Sequence, residues 1–138
     1  MAVELVFADT NLFLRYLTND VPAQAEAVET ILQRAARGEI SLVSTGLVMA
    51  EIVWTLESFY KQPRKRISDM LLAILNTPGL EVVDGDLVSQ AAVWFANKNV
   101  DFIDAYNAAW MSRESVTTVC TFDRRHFERF GGLKVVLP

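Results

Sequence analysis

Four carboxylates interrupt apolar stretches of this chain. Asp9 ends the run "LVFAD", Glu51 lies inside "GLVMAEIVWTL", Asp104 lies in "DFIDAYNAAWM", and Asp123 follows "VCTF". A carboxylate in apolar surroundings either shifts its pKa or finds a partner. Four of them suggest one shared solution, because carboxylates brought together repel one another unless a divalent cation neutralises them. Oxygen ligands suit magnesium, manganese or calcium. Magnesium takes few protein carboxylates, keeps several waters and often coordinates phosphate, which points to phosphoryl chemistry. Each acid taken singly has a plainer reading. Asp9 or Asp123 is a strand-end turn or a helix cap. Glu51 is a charge at the edge of a buried helix face or the partner of a distant arginine, and Asp104 sits on a groove. All four together favour a common site.

Composition narrows the choice. The chain has one cysteine, Cys120, and one histidine, His126. A disulfide within the chain is excluded, and so are the usual zinc sites, which draw on several Cys or His ligands. The single histidine suggests general-acid work, but reads better as a surface residue of the last short helix, since a carboxylate metal scheme does not need it. The formal net charge is −4, which by bulk charge is not that of a nucleic-acid binder. Acids gathered at a metal mask basic surface elsewhere, and neutralising four of them would leave the chain formally neutral. The basic residues stand at "KQPRKR" (Lys61 to Arg66), at Arg113 and at Arg124–Arg125. Most of them read as solvated faces. Arg124 and Arg125, directly after Asp123, are the better phosphate contacts.

The elements that must position these residues follow from patterning. With 138 residues, 51% hydrophobic and 22% charged, the chain fits one domain, 1–138, with a packed core. It shows no internal repeat, low-complexity tract or linker. "VELVFA" (Val3 to Ala8) reads as a buried strand. A helix follows, with Asp20 as N-cap, Pro22 in its first turn and Gly38 as terminator. "ISLV" (Ile40 to Val43) is a second strand, and "STGLVMAEIVWTLESFY" a helix capped by Ser44 or Thr45. "PRKRISDMLLAILNTPG" is another helix, with Ile67, Met70, Leu71, Ile74 and Leu75 inward. "LEVV" is a third strand, and Asp84 caps the next helix. The helix carrying Asp104 buries Phe102, Ala105, Tyr106, Ala109 and Trp110. Asp101 is its N-cap, with Asp104 as a capping-box analogue. "TTVCTF", a short helix with Phe127 and Phe130, and "KVVL" complete the chain. Strands alternating with helices indicate an α/β fold with a mostly parallel central sheet, and little polar alternation in the strands puts helices on both faces. In such sheets ligands bind beyond the strand C-termini, where Asp9 and Asp123 stand.

No apolar run approaches the roughly 20 residues that span a bilayer. "MAVELVFADT" lacks the basic start of a signal peptide, so a cytoplasmic protein is expected.

Taken in order, "FADTNLFLRYL", "AEIVWTL", "DFIDA" and "TFDRRHF" resemble the PIN-domain nucleases, and the layout resembles the VapC-type toxins of toxin–antitoxin pairs. The resemblance covers essentially the whole chain. It implies a three-layer fold with five parallel strands ordered 3-2-1-4-5, which would bring Asp9 and Asp123 together. It also implies a Mg²⁺- or Mn²⁺-dependent endoribonuclease whose catalytic and metal-binding acids are Asp9, Glu51, Asp104 and Asp123. Asn11 matches an asparagine that supports the first acid, Thr121 matches a hydroxyl residue before the last, and Asp101 matches a less regular outer position. The products would carry a 5′-phosphate and a 3′-hydroxyl. A homodimer and a small antitoxin laid across the groove by the third and fourth helices are implied as well. Trp54, Phe59 and Tyr60 belong to that surface or, for Trp54 equally, to the core.

Two other classes stay open on the residues alone. A phosphatase or phosphotransferase with an aspartyl nucleophile fits Asp9, but the dehalogenase type wants a second aspartate where Asn11 stands. A receiver domain wants a lysine near the last acid, where arginines follow. A non-catalytic binding module would use the acids as a groove for a basic peptide.

Overall fold

The computed structural model describes residues 3–138. β1 (Glu4–Phe7), α1 (Thr10–Thr18), α2 (Pro22–Ala36), β2 (Ile40–Ser44), α3 (Gly46–Ser58), α4 (Arg64–Leu75) and β3 (Leu80–Val82) form a first compact unit, which ends at Gly85. α5 (Gly85–Asn97), α6 (Phe102–Arg113), β4 (Thr118–Cys120), α7 (Arg124–Glu128) and β5 (Lys134–Val136) make up the second, Asp86–Pro138.

In the first unit the strands are parallel in the order β1-β2-β3. Val6 stands beside Leu42, and Leu42 beside Leu80. The middle strand β2 exposes none of its residues, as expected of a parallel strand covered on both faces. The edge strand β1 leaves Leu5 and Phe7 exposed. Phe13, Leu14, Met49, Ile52, Leu56, Ile67 and Leu71 are buried, from α1, α3 and α4. In the second unit β4 pairs with β5, parallel, and Val88, Phe95, Val100, Phe102, Ala105 and Phe127 are buried.

The α/β class and the parallel pairing follow the expectation. The continuous order 3-2-1-4-5 does not: the described residues form a three-stranded and a two-stranded sheet. β4 and β5 are three residues each, so either offers only a few backbone groups to a neighbour, and their ladder runs between the two of them. Hydrophobic patterning specifies which residues extend but carries little information about which edges pair.

Some local readings change. No element was expected between Ala8 and Asp20, yet α1 forms there, capped by Asp9 and burying Phe13 and Leu14. Asp20 does not cap α2; Val21 holds that position without a side-chain bond. The Asp20 carboxylate instead accepts from the Tyr60 hydroxyl at 2.7 Å and the Thr18 hydroxyl at 2.9 Å, with Arg15 at 3.6 Å. α3 takes Thr45, not Ser44, as its cap. On α4 the fourth buried residue is Ser68, while Met70 and Leu75 are half-buried. Trp110 is 42% exposed and Tyr106 half-buried, so α6 packs through Phe102, Ala105, Ala108, Ala109 and Met111. Small alanines permit close packing on that face, while Tyr106 and Trp110 turn outward.

Gly79 joins α4 to β3 with φ +80°, and a Cβ there would stand 2.3 Å from the Ala35 carbonyl oxygen. Its own carbonyl accepts from the Leu42 amide at 2.8 Å, seating β3 beside β2. Gly79→Ala is expected to destabilise the protein by more than about 1 kcal/mol in urea titration, since both the backbone conformation and the space reject a side chain.

The Tyr60 hydroxyl bond first, then that of Thr18, then the Arg15 charge hold the Asp20 carboxyl below the usual aspartate range. A depressed folded-state pKa contributes stability above the unfolded value, about 3.9, and loses it as pH falls through the folded value. Tyr60→Phe should raise the Asp20 titration seen by carbon NMR. An unmoved titration would show that the phenol does not stabilise the ionised form.

Candidate active site

Asp9 stands between β1 and α1, where the chain leaves the sheet and turns into a helix. Its Oδ1 accepts from the Thr10 amide at 2.7 Å, the usual use of an aspartate at a helix start. The preceding residue is pinned on both sides. The Ala8 amide donates to the Val43 carbonyl at 2.8 Å, and the buried Ser44 hydroxyl donates to the Ala8 carbonyl at 2.9 Å. The adjacent Thr10 is 3% exposed, and its hydroxyl has no hydrogen-bond partner among the described residues. An orphaned buried hydroxyl is uncommon and calls for a water or an ion. Asn11 is exposed on the first turn of α1. Glu51 is exposed on α3, on the outward stripe that also carries Leu47 and Trp54. At 66% exposure Trp54 is not a core residue.

The second unit gathers more. Asp101 holds the N-cap position of α6 with extended backbone, φ −66° and ψ 149°, but makes no side-chain cap bond. Asp104, in the first turn, lies on the same side of the helix three residues on, and is half-buried. The positive end of the helix dipole favours both anions there. From the other direction, β4 ends at Cys120, and the Thr121 hydroxyl accepts from the Asp123 amide at 2.9 Å, closing a tight turn. That turn delivers Asp123 and, one helical turn later, His126.

The imidazole is where these residues meet. His126 Nδ1 lies 2.9 Å from Asp123 Oδ2, 3.0 Å from Asp104 Oδ2 and 4.0 Å from Asp101 Oδ2. The ring is half-buried, Asp101 and Asp123 are exposed, and Phe127 behind the histidine is buried. One ligand atom from each of Asp101, Asp104 and His126 falls within 4.8 Å of the others. A donor set of two carboxylates and an imidazole suits a divalent cation.

His126 does lie on the last short helix, as expected, but its ring is half-buried against carboxylates rather than free on the surface. A histidine three residues after a strand-end acid shares a helix face with that acid, which is the signal its sequence position carried. The cap reading of Asp101 holds for its position and not for its side chain, which lies toward the histidine. Buried carboxylates were also expected, whereas Asp9, Glu51 and Asp123 are exposed and only Asp104 is half-buried. Arg124 pairs with Glu128 at 3.6 Å, Arg113 with Asp86 at 3.8 Å, and Arg125 is exposed.

Comparison with known proteins adds an independent line. The profile of the PIN domain family matches residues 6–133. A VapC ribonuclease of Aquifex aeolicus (strain VF5) is 25% identical over 130 residues, covering 94% of this chain and 94% of that protein.

The Thr121 turn is testable by itself. Thr121→Val removes the acceptor for the Asp123 amide, and a loss of about 0.5–1.5 kcal/mol is expected in urea denaturation. Thr121→Ser, which keeps the hydroxyl, should stay close to wild type.

Proposed function

The chain belongs to the PIN domain family, and on that premise we propose that it is a divalent-metal-dependent endoribonuclease, the toxin of a toxin–antitoxin pair. The observation that carries the reading is the convergence of Asp104, Asp123 and Asp101 on His126, in a chain similar along nearly its whole length to a ribonuclease. The whole chain, 1–138, acts as one nuclease domain in this reading.

Asp9, Glu51, Asp104 and Asp123 are the catalytic acids, with Asn11, Thr121 and Asp101 in support. Mg²⁺ or Mn²⁺ fits donors present in the second unit, where ligand atoms of Asp101, Asp104 and His126 lie within 4.8 Å of one another, and in the first unit a buried hydroxyl beside Asp9 has no protein partner among the described residues. The cation, when bound, would neutralise the carboxylates, acidify water near neutral pH and stabilise charge developing on the phosphate. The protein's own part is positional. Ser44 and Val43 hold the chain at Ala8, so Asp9 stands at a set place on the strand end. The start of α6 holds Asp101 and Asp104 a helical step apart, and the Thr121 turn directs Asp123. Arg124 and Arg125 supply cations for the RNA backbone, so binding should weaken with added salt.

A second protein is part of the reading. Leu47, Trp54 and Phe59 are exposed on or just after α3, at 83%, 66% and 74%. That apolar stripe beside Glu51 supports an antitoxin segment, and a homodimer is proposed with it. No helix among the described residues is long and apolar enough to cross a membrane.

The experiment is cleavage of mixed structured and unstructured RNAs by the purified protein with Mg²⁺, Mn²⁺ or EDTA. Cleavage should require the cation, and Asp9→Asn and Asp104→Asn should each reduce it by at least about a hundredfold with the fold retained by circular dichroism. Cleavage that survives both substitutions sinks the site assignment. Absence of cleavage together with absence of metal binding by calorimetry would replace the nuclease by a binding groove for a basic peptide.

A further inference from the structure

The acids of this site are accounted for by the nuclease reading; the histidine is not. We propose that His126 is a direct nitrogen ligand of the cation, through Nδ1, in a set with Asp101 and Asp104, and that it makes the site selective for Mn²⁺ over Mg²⁺. The inference rests on the metal-dependent reading above and deepens it.

The distances carry the argument. In an octahedral site with bonds of about 2.1 Å, neighbouring ligand atoms stand about 3.0 Å apart and opposite ones about 4.2 Å apart. His126 Nδ1 is 3.0 Å from Asp104 Oδ2 and 4.0 Å from Asp101 Oδ2, close to one adjacent and one opposite pair. Asp123 Oδ2 is 2.9 Å from Nδ1 but stands outside the group of Asp101, Asp104 and His126, whose ligand atoms all lie within 4.8 Å of one another. A hydrogen bond explains this cluster less completely. Nδ1 carries at most one proton, directed along a single line in the ring plane, whereas two carboxylate oxygens stand within 3.0 Å of it. A cation held by Asp101, Asp104 and His126 would serve those three donors at once.

The selectivity follows from ligand chemistry. Magnesium holds to oxygen and water, while imidazole nitrogen suits the transition metals, of which Mn²⁺ is closest to magnesium in preferring octahedral oxygen-rich sites. Replacing one oxygen ligand by imidazole therefore favours manganese and leaves magnesium binding nearly unaided by the ring.

The chain has a single histidine, which makes the test direct. Untagged protein, free of RNA, is loaded with Mn²⁺ and read by pulsed electron paramagnetic resonance for coupling to imidazole ¹⁴N. Coupling is expected in wild type and absent in His126→Asn. Calorimetry on the same samples should show Mn²⁺ bound at least about tenfold more tightly than Mg²⁺ in wild type, with most of that preference lost in His126→Asn while Mg²⁺ affinity stays within about threefold. The wild-type spectrum needs no variant to fold. Metal binding without nitrogen coupling, or equal loss of both cations in the variant, overturns the ligand assignment and leaves the metal-dependent nuclease intact. Failure of wild type to bind either cation overturns both.

Discussion

Negative charge crowded around one imidazole is the constraint on which the site depends. Asp104 and Asp123 each place an oxygen within 3.0 Å of His126 Nδ1, with Asp101 close behind. Such an arrangement persists only if the repulsion among the acids is offset. The first turn of α6 offsets part of it, since two of the three anions sit where the helix dipole is positive. Water screens the exposed Asp101 and Asp123, and the proposed cation would offset the remainder.

The same economy of design recurs in both units. An acid follows a short strand, and a small polar residue beside it sets the local backbone. After β1 the acid is Asp9, with Ser44 reaching across from β2 to hold Ala8. After β4 it is Asp123, held by the Thr121 hydroxyl. Strand ends are suited to this work. The sheet supplies a rigid origin, and the following helix supplies amide donors and a favourable dipole. Exposure of Asp9, Glu51 and Asp123 agrees with such a role, because a carboxylate that receives a cation and a phosphate must be reachable. Burial was therefore the wrong physical reason for singling out these acids. Their apolar neighbours face the core while the acids face outward.

Much of the fold was legible in the residues because strands and helices have different hydrophobic periods. "ISLVS" is covered on both faces as β2, and Ile67, Leu71 and Ile74 form the buried stripe of α4. α1 is short, and only Asp9 as its cap and Phe13 and Leu14 as its buried residues mark it, which is little periodic signal over nine residues. Trp110 was placed in the core by spacing, yet α6 packs through alanines and leaves it half out. Amphipathic spacing identifies a helix but does not choose which of two overlapping stripes faces inward.

The sequence by itself determined the α/β class, the parallel strands and the family, since each depends on residue type and order along the chain. Tertiary structure alone decided what the acids do with one another. Asp101 and Asp104 are separated from His126 by more than twenty residues, and only the meeting of α6 with the turn after β4 brings their oxygens to its ring. It also decided which strands pair, because edge pairing is set by backbone groups that every residue shares and that no side-chain pattern encodes.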